Sequence, residues 1–286
     1  QREEAAGIPL DAPERTYKDA NHKPELICAL TLFEGLCGFR PAGEAARLLA
    51  GLGVDSLVPY VDLLRASPHE DALREVLTAV LSAEPGEIAK TVAAAGDAAE
   101  RLGRGDGPDA VTYATYADIA RRYPGDPGVI AAVLLNTVRL QPGEALYLGA
   151  GVPHAYLDGV GVEIMANSDN VLRCGLTPKH VDVPELLHVV RFESGPPAVL
   201  RPGADGAFDT PVDDFRLFRY DLGERPRTLP AGAPQVLLCT DGAAELATDD
   251  GRRLPLHRGE SAFVPAADET VQVTGSGTLF RATVRV

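Results

Sequence analysis

No stretch of this 286-residue chain is apolar for long enough to span a bilayer, and none has the layout of a secretory leader. A cytoplasmic protein with no membrane span is therefore expected. Cysteine is sparse. Cys28, Cys37, Cys174 and Cys239 include no Cys-x-x-Cys pair, which removes the zinc-ribbon and dithiol redox classes. Their flanks are apolar, as in Leu26-Ile27-Cys28-Ala29-Leu30, so buried, reduced thiols are expected. Lysine is sparse too, with only Lys18, Lys23, Lys90 and Lys179 among many arginines. In such a chain a lysine points to a need for a compact ammonium. Excess positive charge is also missing. At a net charge of −14, nucleic acid and anionic membrane surfaces are poor partners. An anionic small substrate would need Lys or Arg clustered against the global field.

What is present is an ordinary globular composition, 45% hydrophobic and 24% charged, long enough for roughly two domains. The first residue is Gln1 and the opening stretch, with Pro9 and Pro13, reads as a loop inside a domain, so the chain is expected to begin within a larger protein. Residues 25–32, apolar but for Glu25 and Thr31, read as a strand, ended by Gly35, Gly38 and Pro41. From residue 42 to 122 the period turns helical. Leu73, Val76, Leu77, Val80 and Leu81 share one face, behind a start signal of Ser67, Pro68 and Glu70. Further helices are expected over 45–52, 57–65, 87–102 and 116–122, and His69 reads as a surface residue near a helix start. After Pro124-Gly125-Asp126-Pro127-Gly128 the pattern is strands and turns to the end. Strands are expected over 134–140, 144–148, 154–157, 161–165, 236–239, 243–247, 261–264 and 278–284, the spacing of a barrel or jelly roll.

Two segments repeat a shape. Pro142-Gly143-Glu144 opens a short strand that leads through Gly149-Ala150-Gly151-Val152-Pro153 to His154, and Arg258-Gly259-Glu260 opens another that leads through Pro265 to Thr270. A glycine-started strand ending in a turn with a metal-binding histidine is the second motif of cupins. The first copy keeps the histidine and the second has Thr270 in its place. We therefore expect a mainly β protein with a helical insertion: two cupin-like jelly-roll barrels plus an all-α domain. The boundaries expected are 1–41 and 123–230 for the first barrel, 42–122 for the helices, and 231–286 for a degenerate, metal-free barrel of antiparallel strands.

Asn21-His22-Lys23-Pro24-Glu25 reads as a strand with Asn21, Lys23 and Glu25 on one face and His22 and Pro24 on the other. Pro24 cannot donate to a ladder, which places the segment at an edge or rim. A carboxylate and an ammonium on one rim face can hold a metal and a polar substrate side by side; a solvated strand end is the plainer reading. His154 after its glycine-rich turn, with Glu25, offers nitrogen and oxygen donors suited to zinc or another first-row divalent metal. Residues 161–179 carry Glu163, Asn167, Asp169, Asn170, Arg173 and Lys179 without a helical period. An Asp169–Arg173 surface pair would explain two of them, but polar groups so dense beside a metal-bearing strand read as substrate contacts.

The blocks Tyr17-Lys18-Asp19-Ala20-Asn21-His22-Lys23-Pro24-Glu25-Leu26 and Phe33-Glu34-Gly35-Leu36-Cys37-Gly38-Phe39-Arg40-Pro41, with residues 151–179, resemble the type I mannose-6-phosphate isomerase family. The resemblance implies an aldose–ketose isomerase that interconverts mannose 6-phosphate and fructose 6-phosphate by zinc-assisted proton transfer through an enediol. It implies one zinc held by a Gln-x-His pair, Glu25 and His154. No Gln-x-His occurs here, so the chain resembles a member lacking its amino-terminal part, with two of four ligands and impaired activity expected. Arg173 matches the family's catalytic arginine. Asp169, Glu163, Lys23 and His22 are candidates for moving the proton, and Asn21, His22, Lys23, Arg173 and Lys179 for holding a sugar phosphate. A monomer is expected. Two other classes stay open: a non-catalytic, sugar-binding bicupin, and a metal-dependent cupin dioxygenase, for which the usual His-x-His is missing.

Overall fold

The computed structural model describes residues 2–66, 70–230, 232–267 and 270–285. The expected helix cap at Ser67 and Pro68, and the reading of His69, lie outside them. In chain order the elements are α1 (Arg2–Ala5), β1 (Glu25–Ala29), β2 (Phe33–Phe39), α2 (Ala42–Gly51), α3 (Val58–Ala66), α4 (Glu70–Leu81), α5 (Pro85–Gly103), α6 (Ala110–Arg122) and α7 (Gly128–Val133). There follow β3 (Leu135–Leu140), β4 (Ala145–Leu148), β5 (His154–Asp158), β6 (Gly161–Met165), α8 (Val183–Val189) and β7 (Val199–Leu200). The last are β8 (Arg216–Leu222), β9 (Arg227–Leu229), β10 (Gln235–Thr248), β11 (Arg253–His257), β12 (Ser261–Val264) and β13 (Val271–Thr283).

β1 explains the continuous apolar run. It pairs antiparallel with β4 on one side and β6 on the other, and both of its faces are covered. Ile27 and Ala29 pack with Phe33, Cys37, Val138, Leu140, Leu146 and Leu148, between this sheet and the sheet β3-β2-β5. Leu26 and Cys28 face the other way, onto Ala145, Phe208, Phe215, Leu217 and Phe280. A strand buried on both faces has no reason to alternate. Glu25 is in phase with Ile27 and Ala29, so its side chain belongs to the space between the two sheets. The edge position inferred from Pro24 is corrected here: β1 is internal, it starts after Pro24, and the Pro24 carbonyl accepts a hydrogen bond from the Ala166 N–H.

β2 corrects a second expectation. Gly35 and Gly38 sit within a strand and do not break it. A Cβ on Gly35 would stand 2.9 Å from the Ala155 carbonyl oxygen, so glycine is what lets β5 lie close. Gly38 has φ +62° at the bulge where β2 shifts register against β3.

The helices α2–α6 follow the expected period, and Leu73, Val76, Leu77 and Val80 are fully buried. Each such side chain contributes about 1.5–3 kcal/mol by leaving water. Their core continues into the sheets: Leu36 and Phe39 of β2 belong to it, and Phe39 stacks on Phe192 at 5.0 Å. α7 was not expected. All six of its residues are buried, so no polar face marks its period.

β10 and β13 run antiparallel over almost their whole lengths and carry β11, β12, β8 and β9. Residues 231–286 are thus antiparallel strands where described, as expected. Two partners, β8 and β9, come from ahead of residue 231, so the sheet begins earlier in the chain than that boundary. The bend in β10 lies at the register shift between Cys239 and Asp241, followed by Gly242 at φ +68°. A Cβ there would be 2.0 Å from the Ser276 carbonyl oxygen. Thr270, in the place expected to have lost a ligand, donates its hydroxyl to Asp249 at 3.0 Å.

Candidate functional site

The turn before β5 places His154. Gly151 adopts φ +83°, and a Cβ on it would be 2.7 Å from the Val189 carbonyl oxygen of α8. The Val152 carbonyl then accepts a hydrogen bond from His154 Nδ1 at 3.0 Å, which turns Nε2 inward. Nε2 lies 3.3 Å from Glu25 Oε2, and Lys23 Nζ lies 3.4 Å from Glu25 Oε1. Burial works against the Glu25 carboxylate, but the hydrogen bond and charge of His154, with Lys23, hold its carboxyl below the ordinary range. Burial likewise disfavours a charged His154, yet Glu25 and the Val152 carbonyl raise its imidazole.

This pair opens into a cavity of about 910 Å³, large enough for a small-molecule ligand. Asn21, His22, Lys23, Glu25, His154 and Arg173 all line it. Arg173 has no hydrogen-bond or ion-pair partner among the described residues, so its guanidinium is free for an anion or an oxygen. His22 Nε2 donates to both Asp214 oxygens at 3.0 Å. Asn21, His22 and Lys23 precede the strand instead of belonging to it, so the alternation expected for them does not apply.

Three of the candidates stand apart from the cavity lining. Glu163 is exposed and reaches the site through Tyr156, whose hydroxyl donates to Glu163 Oε1 at 2.5 Å. Asp169 and Lys179 are exposed. The polar density of 161–179 has a structural cause in part. Asn170 donates to the Asn21 carbonyl and Asp19, and accepts from the Lys18 and Asp19 N–H groups. Asp19 accepts from the Asp169 and Asn21 N–H groups and the Ser168 hydroxyl, and these bonds, led by Asp169, hold its carboxyl low. Asn21 donates to the Asn167 carbonyl at 3.0 Å. These residues stitch the segment before β1 to the segment after β6.

Several cavity residues were missed in the sequence. Tyr156 follows His154 at the strand period of two, a signal that was there to use. Burial, then the Glu163 hydrogen bond, push its phenol well above the ordinary range. Thr115, Asp118, Ile119 and Arg122 bring α6 to the cavity wall, and Arg122 donates to the Leu157 carbonyl at 3.1 Å. Asp214, which is not part of the cavity lining but holds His22, comes from a loop remote in sequence, and nothing local in the chain marks it.

The donor set can be tested against zinc. Zinc bonds of about 2.0–2.2 Å in a tetrahedral set place neighbouring donors about 3.3–3.6 Å apart. The Glu25–His154 separation of 3.3 Å meets that, and the Val152 carbonyl fixes the imidazole as a zinc-bound histidine requires. Among the described residues no group of three or more His, Cys, Asp or Glu side chains is placed to hold a metal. Two donors fit, and they make up only part of a zinc shell.

The sequence profile of "Mannose-6-phosphate isomerase, cupin domain" matches residues 205–284, and that of "Phosphomannose isomerase type I, catalytic domain" matches residues 2–42. The mannose-6-phosphate isomerase of Shigella flexneri is 41% identical over 285 residues, covering 98% of this chain and 71% of that protein. A crystal structure of a phosphomannose isomerase mutant from Salmonella typhimurium superposes with a TM-score of 0.90 at 39% identity, covering all of this chain and 72% of that one. A Salmonella typhimurium mannose 6-phosphate isomerase bound to fructose 6-phosphate and zinc aligns at a TM-score of 0.87 and 39% identity, with the same coverage.

Proposed function

The chain belongs to the type I mannose-6-phosphate isomerases, and from that premise we propose that its cavity serves the interconversion of mannose 6-phosphate and fructose 6-phosphate. The observation that carries the reading is the 3.3 Å approach of His154 Nε2 to Glu25 Oε2 within a cavity that also holds Lys23 and Arg173. Glu25 and His154 would hold the zinc. When bound, zinc supplies Lewis acidity toward the sugar's carbonyl and hydroxyl oxygens.

In the reaction one proton leaves C2 of the aldose and one is delivered to C1, through an enediol, while the hydroxyl proton of O2 is lost and one is gained at O1. Lys23 places a positive charge beside Glu25, where negative charge develops on those oxygens. Arg173 presents planar donors to the same oxygens or to the phosphate. His22 is held through Nε2 by Asp214, which leaves Nδ1 to hold or move a proton. Glu163, gripped by Tyr156, is the carboxylate at the cavity margin. Asp169 and Lys179 are assigned supporting roles, in the loop that carries Arg173. Asn21 fixes the approach of that loop.

In fold terms, the sheets β6-β1-β4-β7 and β3-β2-β5 make a cupin barrel from residues 2–41 and 123 to about 204, short of the expected end at 230, with 42–122 as an α-helical insertion. The second barrel is metal-free and starts closer to 205, where the cupin-domain profile begins, than to 231. The setting proposed is a cytoplasmic monomer acting on a free sugar phosphate.

The two-donor set predicts that this chain holds zinc weakly and turns over slowly. The test is isomerase activity across a range of added zinc, for the chain and for Glu25→Ala and His154→Ala. Turnover that rises with zinc and is lost in both variants supports the reading; absence of turnover at every zinc concentration overturns it for this chain. The small donor set also favours a second reading, sugar-phosphate binding without catalysis. That reading predicts ligand-induced stabilisation with no product formed.

A further inference from the structure

The Pro124-Gly125-Asp126-Pro127-Gly128 turn does more than end the helical segment. Asp126 Oδ1 accepts a hydrogen bond from the Gly128 N–H at 2.7 Å, at the start of α7. Its other oxygen, Oδ2, accepts from the Thr177 N–H at 3.2 Å, fifty-one residues further along. The two backbones touch beside this carboxylate. A Cβ on Gly128 would stand 2.6 Å from the Leu176 nitrogen, and a Cβ on Gly175 would stand 2.6 Å from the Gly128 Cα. Gly175 has φ +110°, and Leu176 is the one described non-glycine residue with positive φ, at +55°. A bulky residue adopts that conformation only where its surroundings impose it. Arg173 lies two residues before Gly175, lines the cavity, and has no side-chain partner of its own among the described residues.

We propose that Asp126, with the Gly128–Gly175 contact, is a positioning device for Arg173: it pins residues 175–177 to the start of α7 and so sets the guanidinium at the cavity wall. This rests on the reading above, in which Arg173 acts on the sugar phosphate. A helix cap alone would need only the Gly128 bond. The second bond, to Thr177, is the one that ties the helical segment to the reacting groups.

Asp126→Asn is isosteric but replaces one acceptor oxygen with an NH2 group, which faces an N–H donor. Asp126→Ser leaves a single oxygen, enough for Gly128 and not for Thr177 as well, and guards against simple loss of the α7 start. Cys174 supplies a readout independent of activity. It is half-buried in this loop, whereas Cys28, Cys37 and Cys239 are buried. In both variants Cys174 should label with a thiol reagent about 10-fold faster or more, while Arg173→Lys labels at the parent rate. With zinc supplied, each Asp126 variant should lose about 10- to 100-fold in kcat, the scale of a misplacement near 1 Å. The double variant with Arg173→Lys should be no slower than Arg173→Lys alone. Parent-rate labelling overturns the clamp. Normal kcat in the Asp126 variants, or losses that multiply with that of Arg173→Lys, overturns its link to Arg173. Normal turnover in Arg173→Lys itself sinks the role given to that arginine, a different result from either.

Discussion

Arg40 offers the sharpest stability test, because one side chain joins three elements of the fold, α2, α6 and β3. It stands just after β2 and is 2% exposed. Its Nε donates to the Leu135 carbonyl at 2.9 Å, and Nη2 donates to the same oxygen. Nη2 also donates to the Tyr116 hydroxyl of α6 at 2.8 Å, and Nη1 to Glu44 of α2 at 2.7 Å. Burial is the main reason the Tyr116 phenol is pushed up to about 12, so that hydroxyl stays neutral. Arg40→Leu keeps the bulk but leaves the Leu135 carbonyl and the Tyr116 hydroxyl without their donor. Each buried, unsatisfied group costs about 1–3 kcal/mol. The lost bond to Glu44, whose carboxylate is exposed to water, adds little, and the two unsatisfied groups together come to about 2–6 kcal/mol. That is a large part of a typical stability of about 5–15 kcal/mol. Arg40→Lys keeps the charge and has one nitrogen in place of three, so it should recover less than half of the loss. Urea unfolding followed by circular dichroism, with tyrosine fluorescence as a second probe, measures both variants. If either lies within about 1 kcal/mol of the parent, the network does not hold the helices to the sheets and the argument fails.

Arg173→Lys should lower kcat by about 10- to 1,000-fold, roughly the loss of one oxyanion-stabilising donor, with bound zinc unchanged; steady-state kinetics with metal analysis checks it, and a loss that tracks zinc loss counts against it. Burial pushes the Cys174 thiol up to about 12. Since only the thiolate reacts, its labelling rate in the folded chain should climb about 10-fold per pH unit from neutrality toward pH 11, and in urea it should level off near the ordinary value of about 8.5. A plateau near pH 9 in the folded chain would show the thiol to be open to solvent.

The sequence was most readable where one face of an element is buried and the other is wet. α4 carries Leu73, Val76, Leu77 and Val80 on one face, and β6 matches its expected span residue for residue. Legibility failed where that contrast is missing. α7 is buried on all sides, and β2 looks broken because Gly35 is required by its neighbour β5 and Gly38 by a bulge. β8 and β9 lie in a stretch of mixed charge that gave no strand signal, although both pair with β13. Within the site, Glu25 and His154 were legible from their motifs, and the structure brings them to one point. Asp214 and Asp126 were not, because a hydrogen bond across 192 or 51 residues leaves no local pattern. The polar loop 167–170 misled in the opposite sense: its side chains hold two chain segments together, and only part of it faces the cavity.

The central claim is that Glu25 and His154 share one metal ion. Zinc added to crystals of the chain, with diffraction recorded at the zinc absorption edge, tests it most directly. The account predicts an anomalous peak within about 2.0–2.2 Å of both a Glu25 carboxylate oxygen and His154 Nε2, absent in Glu25→Gln. A zinc peak elsewhere in the chain, with the Glu25–His154 pair left intact and metal-free, would contradict it.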